Sequence, residues 1–274
     1  MWIYFLIIFT LLIMLYLLAI MPKLFKRHNL KPWQGKYYAH RGLHQDLNTT
    51  PENSMAAFKL AVKHNYGIEM DVQLTKDNVP VIFHDYTLKR VCGVDRKVRD
   101  LTFKELQQYR LHGSHEKIPT FQAVLDMVQG KVPLIIEFKV ELQDISVCNV
   151  TAPILKNYKG LYCIESFNPL VLLWYKNHNP KIMRGQLASN LIKDKEVGSL
   201  SMYFVLQNLL LNFITKPDFI SYNYAHRNML SLTLCRKLYR TPTFAWTIKS
   251  QKNLDDSKNY FDFFIFDQFI PKEQ

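Results

Sequence analysis

The residues able to do chemistry crowd into one stretch of this chain, positions 38–85. It opens YAHRG, passes through TPEN and IEMDVQL, and closes VIFHD. Glu69 and Asp71 lie two residues apart on an extended segment, so both side chains leave one strand face. Ile68, Met70 and Val72 make the opposite face apolar, which places the strand in a core. Two carboxylates side by side repel each other and call for a cation or strong hydrogen bonds. Their hard oxygens suit Mg2+ or Ca2+, with Mn2+ also compatible. A solvated strand face without an ion is the alternative. His40 and His84 flank the pair in sequence, and Arg41 adds a fixed positive charge.

The elements around these residues can be read from local chemistry. Tyr37–Ala39 is a short strand, and Gly42 permits the sharp exit behind His40-Arg41. Thr49 and Glu52 have capping-box spacing, with Pro51 at the start of a helix expected over 53–64. Glu52 therefore either caps that helix or turns toward the site. Thr75–Asn78 is a turn, and the apolar stretch 79–83 follows at once. A parallel crossover takes roughly a dozen residues, so this stretch folds back as a hairpin and brings His84 toward Glu69 and Asp71. Thr102 and Glu105 repeat the capping-box spacing for a helix over 102–110, and another helix is expected over 121–129. PLIIEFK (133–139) is a buried strand on which Glu137 and Lys139 share a face, either as a salt bridge or as part of a site. The stretch 202–214 is unusually apolar; it either packs on the outside of the fold or dips into a membrane.

HRG, PEN, the E-x-D strand, the TKD turn and HD resemble the glycerophosphodiester phosphodiesterase family in order and spacing. EFK (137–139), ESF (165–167), GQL (185–187) and AWT (245–247) extend the resemblance to about position 270. The resemblance implies an α/β fold, a (β/α)8 TIM barrel, with one divalent ion held by Glu69, Asp71 and Glu137. It implies His40 and His84 as the catalytic pair and Arg41 and Lys139 as phosphate contacts. Phe167 and Trp246 fall at positions lining the glycerol side, and Glu52 at a site-proximal acid. Eight strand-like segments, ending near Arg41, Asp71, Lys139, Ser166, Leu187, Tyr222, Thr247 and Asp267, agree with a barrel if the hairpin is left out as an arm. Barrel sites lie at these C-terminal strand ends.

The activity so implied is hydrolysis of glycerophosphodiesters to glycerol 3-phosphate and an alcohol. Lysophospholipase D-like release of lysolipid headgroups is the rival within the class. A catalytically silent, membrane-tethered binding protein is the rival outside it, and it would lack a histidine or a ligand that this chain retains.

Bulk composition bears on the partners. Lys and Arg exceed Asp and Glu by 35 to 23, a net charge of +12 that favours anionic partners. No zinc-finger, helix-turn-helix or RNA-stacking signature accompanies it, so nucleic acid is not expected. The four cysteines show no paired spacing. Residues 2–21 carry no charge and reach roughly 30 Å as a helix, the thickness of a bilayer core. A signal peptide would carry a basic leader, and the first basic residue here is Lys23. The expectation is a transmembrane helix (2–21), a basic juxtamembrane linker (22–36) and a catalytic domain (37–274). Lys23, Lys26, Arg27, Lys31 and Lys36 place that domain in the cytoplasm by the positive-inside rule, an extracellular domain being the alternative. The same charges either mark topology alone or bind anionic headgroups. Trp33 is expected at the membrane interface.

Overall fold

The computed structural model describes residues 1–141, 143–194 and 199–272. Its strands are β1 (Tyr37–Ala39), β2 (Gly67–Leu74), β3 (Pro80–Ile82), β4 (Leu134–Phe138), β5 (Tyr162–Ser166), β6 (Arg184–Ala188), β7 (Phe219–Asn223), β8 (Thr243–Ile248) and β9 (Phe263–Phe266). All but β3 pair in parallel, and β1 pairs with both β2 and β9, so the sheet closes into a TIM barrel. β3 runs antiparallel to β2, with Val72 opposite Ile82 and Leu74 opposite Pro80. It is the expected hairpin arm after the second barrel strand.

The helices are α1 (Trp2–Ala19), α2 (Met55–Lys63), α3 (Lys89–Cys92), α4 (Phe103–Leu106), α5 (Phe121–Val128), α6 (Ser146–Asn157), α7 (Pro169–His178), α8 (Leu200–Gln207), α9 (Asn212–Thr215), α10 (Leu230–Lys237) and α11 (Gln251–Ser257). Alternation along the strands sorts the core into two layers. Ile68, Met70, Val72, Ile136, Ile164 and Ile220 face the helices, while Tyr38, Ile135, Cys163, Phe219, Phe244 and Phe263 fill the lower barrel. Gly185 leaves room for that filling, since a Cβ there would stand 2.0 Å from Phe219 Cε2.

Several expectations need correction. Trp33 does not lie at a membrane interface. It is 2% exposed and stacks on Tyr38 beneath the barrel, whose hydroxyl donates to the Trp33 carbonyl at 2.9 Å. An indole closing a barrel floor buries more apolar area than an interfacial one, and 22–36 runs under the barrel. The helix after TPEN begins at Met55, not Asn53, and its cap is Ser54, whose Oγ accepts from Ala57 N at 3.0 Å. The Thr49-x-x-Glu52 pattern caps nothing. The Thr102–Glu105 box is present but starts only the short α4. The apolar stretch 202–214 is two helices, broken where Leu209 takes φ +59°. In α8 only Gln207 is buried, while Leu200 and Phe204 are 69% and 55% exposed, so this helix is not packed flat on the wall.

α1 is exposed from Trp2 to Leu15, and then fastens to the barrel. Ile20 is fully buried, and its carbonyl accepts from Asn212 Nδ2 at 3.1 Å and Cys235 Sγ at 3.4 Å. Tyr239 donates its hydroxyl to the Leu17 carbonyl at 2.8 Å. Two of the linker charges are tied down as well. Lys23 pairs with Asp218 at 2.7 Å, and Arg27 donates to the carbonyls of Tyr239 and Arg240 at 2.5 and 2.8 Å.

Candidate active site

β2 and β4 lie side by side with Asp71 opposite Glu137, so the E-x-D pair and the EFK glutamate meet inside the barrel mouth. Glu69, Asp71 and Glu137 are all buried, with carboxylate oxygens within 4.8 Å of one another. Burial, Asp71 and Glu137 push the Glu69 carboxyl well above its usual range. Burial also opposes charge on Asp71, yet Lys139, His84 and Arg41 hold that carboxyl well below its usual range. Lys139 Nζ lies 2.7 Å from Glu137 Oε1 and 3.1 Å from Asp71 Oδ1. Asn53 Nδ2 donates to Asp71 Oδ2 at 2.8 Å. Lys139 and Arg41 thus brace three carboxyl groups in a buried cup.

The HRG turn brings its own groups to the cup. The backbone N–H of Arg41 donates to Glu69 Oε2 at 3.0 Å, and its guanidinium reaches Glu52 at 3.0 Å and Asp71 at 3.4 Å. Arg41 and Asn53 hold φ +54° and +57°, a left-handed geometry that costs a non-glycine residue about 1–3 kcal/mol and is typical of sites that surrounding structure enforces. Gly42 (φ +81°) follows, and a Cβ there would lie 2.9 Å from the Ala57 Cβ. His40 Nε2 faces Glu69 Oε2 at 4.0 Å and its Nδ1 faces Asp267 Oδ2 at 3.6 Å. Burial, reinforced by Arg41, lowers the His40 imidazole to about 4, against the pull of Asp267.

The arm after β3 delivers His84. Phe83 N–H donates to the Asp71 carbonyl at 3.0 Å, and Gln73 Nε2 donates to the carbonyls of Phe83 and Asp85 at 2.7 and 2.9 Å. His84 Nδ1 meets Asp85 Oδ1 at 2.6 Å. Arg90 grips Asp85 (2.7 and 3.0 Å) and Glu52 (2.6 and 2.9 Å) at once. Burial works against the Glu52 charge, yet its bonds to Arg90 and the nearby Arg41 hold it down to about 2. Phe167, behind β5, and Trp246, in β8, meet edge to face at 5.7 Å on the same end of the barrel.

His40, Arg41, Glu52, Glu69, Asp71, His84, Glu137, Lys139, Phe167 and Trp246 therefore all lie at the barrel mouth. Glu52 lies there as a salt-bridge hub, not a cap. Sequence reading assigned no role to Asn53, Gln73, Asp85, Arg90, Glu165 or Asp267. For Asp85 the signal was its adjacency to His84, and for Asp267 its place at the end of the closing strand; Arg90 carried none. His44, two residues past the HRG turn, is buried with Nε2 2.7 Å from Asp267 Oδ1. Glu165 sits beside Glu137 on β5, and burial together with Glu137 pushes it up to about 8.

Comparison with known proteins matches residues 40–258 to the model of the glycerophosphoryl diester phosphodiesterase family. YhdW of Bacillus subtilis, whose name assigns it provisionally to the glycerophosphodiester phosphodiesterases, is 30% identical over 223 residues, 78% of this chain and 86% of that protein. Human lysophospholipase D GDPD1 is 31% identical over 138 residues, 46% of this chain and 43% of that protein. Among solved structures, an Oleispira antarctica phosphodiesterase in complex with the product sn-glycerol-3-phosphate superimposes with a TM-score of 0.68 at 23% identity, covering 86% of this chain and 94% of that one. A glycerophosphodiester phosphodiesterase from Thermotoga maritima gives 0.64 at 24% identity, covering 85% and 95%. A carboxylate cup on a closed barrel, matched over most of its length, makes this chain a member of the glycerophosphoryl diester phosphodiesterase family.

Proposed function

We propose that the chain hydrolyses glycerophosphodiesters to glycerol 3-phosphate and an alcohol, using one divalent ion held by Glu69, Asp71 and Glu137. The observation that carries this reading is the set of three buried carboxylates within 4.8 Å, braced by Arg41 and Lys139. An all-oxygen, anionic donor set fits Mg2+, Ca2+ or Mn2+. The raised proton affinity of Glu69 points the same way, because its neighbours leave its charge uncompensated. The ion, when bound, supplies charge neutralisation at a phosphoryl oxygen.

The chain's own residues do the rest. Arg41 and Lys139 neutralise the other phosphate oxygens as negative charge builds in the transition state. Glu52 holds the Arg41 guanidinium in place. His40 and His84 are the proton-transfer pair. Each has Nδ1 against an aspartate, Asp267 and Asp85, which leaves each Nε2 for the reaction. One takes the proton of the attacking oxygen, either water or the neighbouring glycerol hydroxyl whose cyclic ester water then opens, and the other gives a proton to the departing alcohol oxygen. Phe167 and Trp246 form an apolar wall suited to glycerol carbons.

Release of glycerol 3-phosphate from a panel of diesters tests this. His40→Ala and His84→Ala should each lower turnover by roughly 10²–10⁴. Undiminished turnover in both variants would refute the pair, and activity surviving exhaustive chelation would remove the ion.

The exposed apolar α1 supports membrane anchoring of the 37–274 domain, with Lys26, Lys31 and Lys36 favouring the cytoplasmic side. Protease added to intact cells should leave that domain whole, and its digestion would reverse the sidedness. The anchor and the likeness to a protein named lysophospholipase D favour a second substrate class on the same site, lysolipids cleaved at the headgroup.

A further inference from the structure

The direction in which α1 leaves the barrel fixes which face meets the bilayer. Tyr16 approaches Ser231, in the first turn of α10, and Tyr222, at the C-terminal end of β7. One turn later Ile20 meets Cys235, deeper along α10. Beyond it, Lys23 N–H donates to the carbonyl of Pro217, just before β7 begins. The chain therefore descends from the mouth end of the barrel to its floor as it passes from Tyr16 to Lys23. Residues 2–15, all exposed, project the other way, out past the face that carries the carboxylate cup.

The rim on that side carries exposed apolar side chains among its polar ones. Leu47, Leu170, Ile192, Phe204, Leu230 and Ile270 are all exposed, and each lies in a segment that follows the C-terminal end of a barrel strand. They come from the connections behind β1, β5, β6, β7 and β9. At the floor, Leu238 stands among Arg236, Lys237 and Arg240, and Phe25, Phe213 and Ile214 are exposed as well, so it is the direction of α1 that separates the two ends.

We infer that the C-terminal rim of the barrel docks on the lipid bilayer, so that the carboxylate cup opens onto the membrane surface and takes phosphodiester headgroups from it. The inference rests on α1 spanning the bilayer, and it deepens the lysolipid reading of the same site. Length supports it. At ~1.5 Å per residue the free part of α1, residues 2–15, reaches about 21 Å, short of a hydrocarbon core of roughly 30 Å. α1 runs unbroken from this part into the packed turn at Tyr16, so no linker holds the barrel away from the membrane. Local thinning of the bilayer, with the rim sunk about 5–10 Å into the headgroup boundary, closes the gap.

The test uses the full chain in nanodiscs of phosphatidylcholine and phosphatidylglycerol, with Cys92→Ser to remove the one cysteine that is not buried. A fluorophore is attached at Phe204→Cys, Leu230→Cys or Leu238→Cys in turn. Rim labels at 204 and 230 should be quenched severalfold more by a spin-labelled acyl chain than the floor label at 238, and iodide should give the reverse order. Equal access of iodide to all three labels would overturn the docking. Failure of the protein to co-elute with nanodiscs would overturn the span and the docking with it. Release of glycerol 3-phosphate from soluble glycerophosphocholine by the same samples reads the catalytic proposal separately.

Discussion

Replacing Arg90 by Met tests whether the arm carrying His84 is held by charge. Arg90 makes four charge-assisted bonds, two to Asp85 and two to Glu52, at 2.6–3.0 Å. Buried, each would be worth about 1.5–3 kcal/mol. The Arg90 side chain is 45% exposed, and solvent screening brings the set down to about 1–2 kcal/mol of folding stability. For a domain of this size that is a fall in Tm of roughly 2–4 °C per kcal/mol. The larger effect belongs to turnover. Without Arg90, Asp85 keeps only His84 and the backbone tie through Gln73. A misplacement of about 1 Å at a reacting group costs on the order of 10²-fold, so kcat should fall about 10–100-fold with little change in KM. The decisive measurement is the double variant. If Arg90 acts through His84, adding Arg90→Met to His84→Ala should cost almost nothing further. Full multiplication of the two losses would show that Arg90 acts elsewhere, through Glu52 and Arg41, and would refute the argument.

Two further predictions concern the buried carboxyls. Mg2+ or Ca2+ at about 100 times its Kd should stabilise the metal-free chain by about 2.7 kcal/mol, read as a rise in Tm, and Glu137→Gln should abolish the rise; an equal rise in both proteins would move the ion elsewhere. Glu165, at about 8 when folded against 4.5 for its ordinary value, takes up a proton on folding between these pH values. Its folded state is therefore favoured below pH 4.5 and loses stability as pH climbs toward 8, by up to about 3 kcal/mol at pH 7. In chelator, Glu165→Gln should outlast the parent by a wider margin of Tm at pH 8 than at pH 5, and a margin independent of pH would show that Glu165 does not titrate there.

Features set by periodicity and short connections were legible in the sequence. The i, i+2 spacing of Glu69 and Asp71 fixed their common face, and the turn after Leu74 was too short for anything but a hairpin, which placed His84. Patterns whose meaning depends on distant partners misled. Thr49-x-x-Glu52 has capping spacing, but the Glu52 carboxylate is claimed by Arg41 and Arg90, and the latter lies 38 residues away. Trp33 followed an apolar span and so read as interfacial, yet its contacts are Tyr38 and Phe244, and the second lies across the barrel floor. Arg90 looks like any surface arginine until β3 folds back. Local sequence cannot encode a bond whose partner arrives only with the tertiary structure.

The closure of the barrel has a consequence for how the chain is made. Strand β1 is three residues long and must pair with β9, Tyr37 opposite Phe264, at nearly opposite ends of the chain. Synthesis runs from the N-terminus at about 5–20 residues per second, so β1 waits roughly 11–45 s for its partner to leave the ribosome. Until then β1 and β8 each present an open parallel edge, the kind of surface that invites mispairing with another chain. An α1 already held in lipid would keep nascent copies apart during that interval. If α1 anchors the chain as proposed, membrane capture and barrel closure would be successive steps in the birth of this protein, and a chain cut short before Phe263 would leave β1 and β8 as permanent edges.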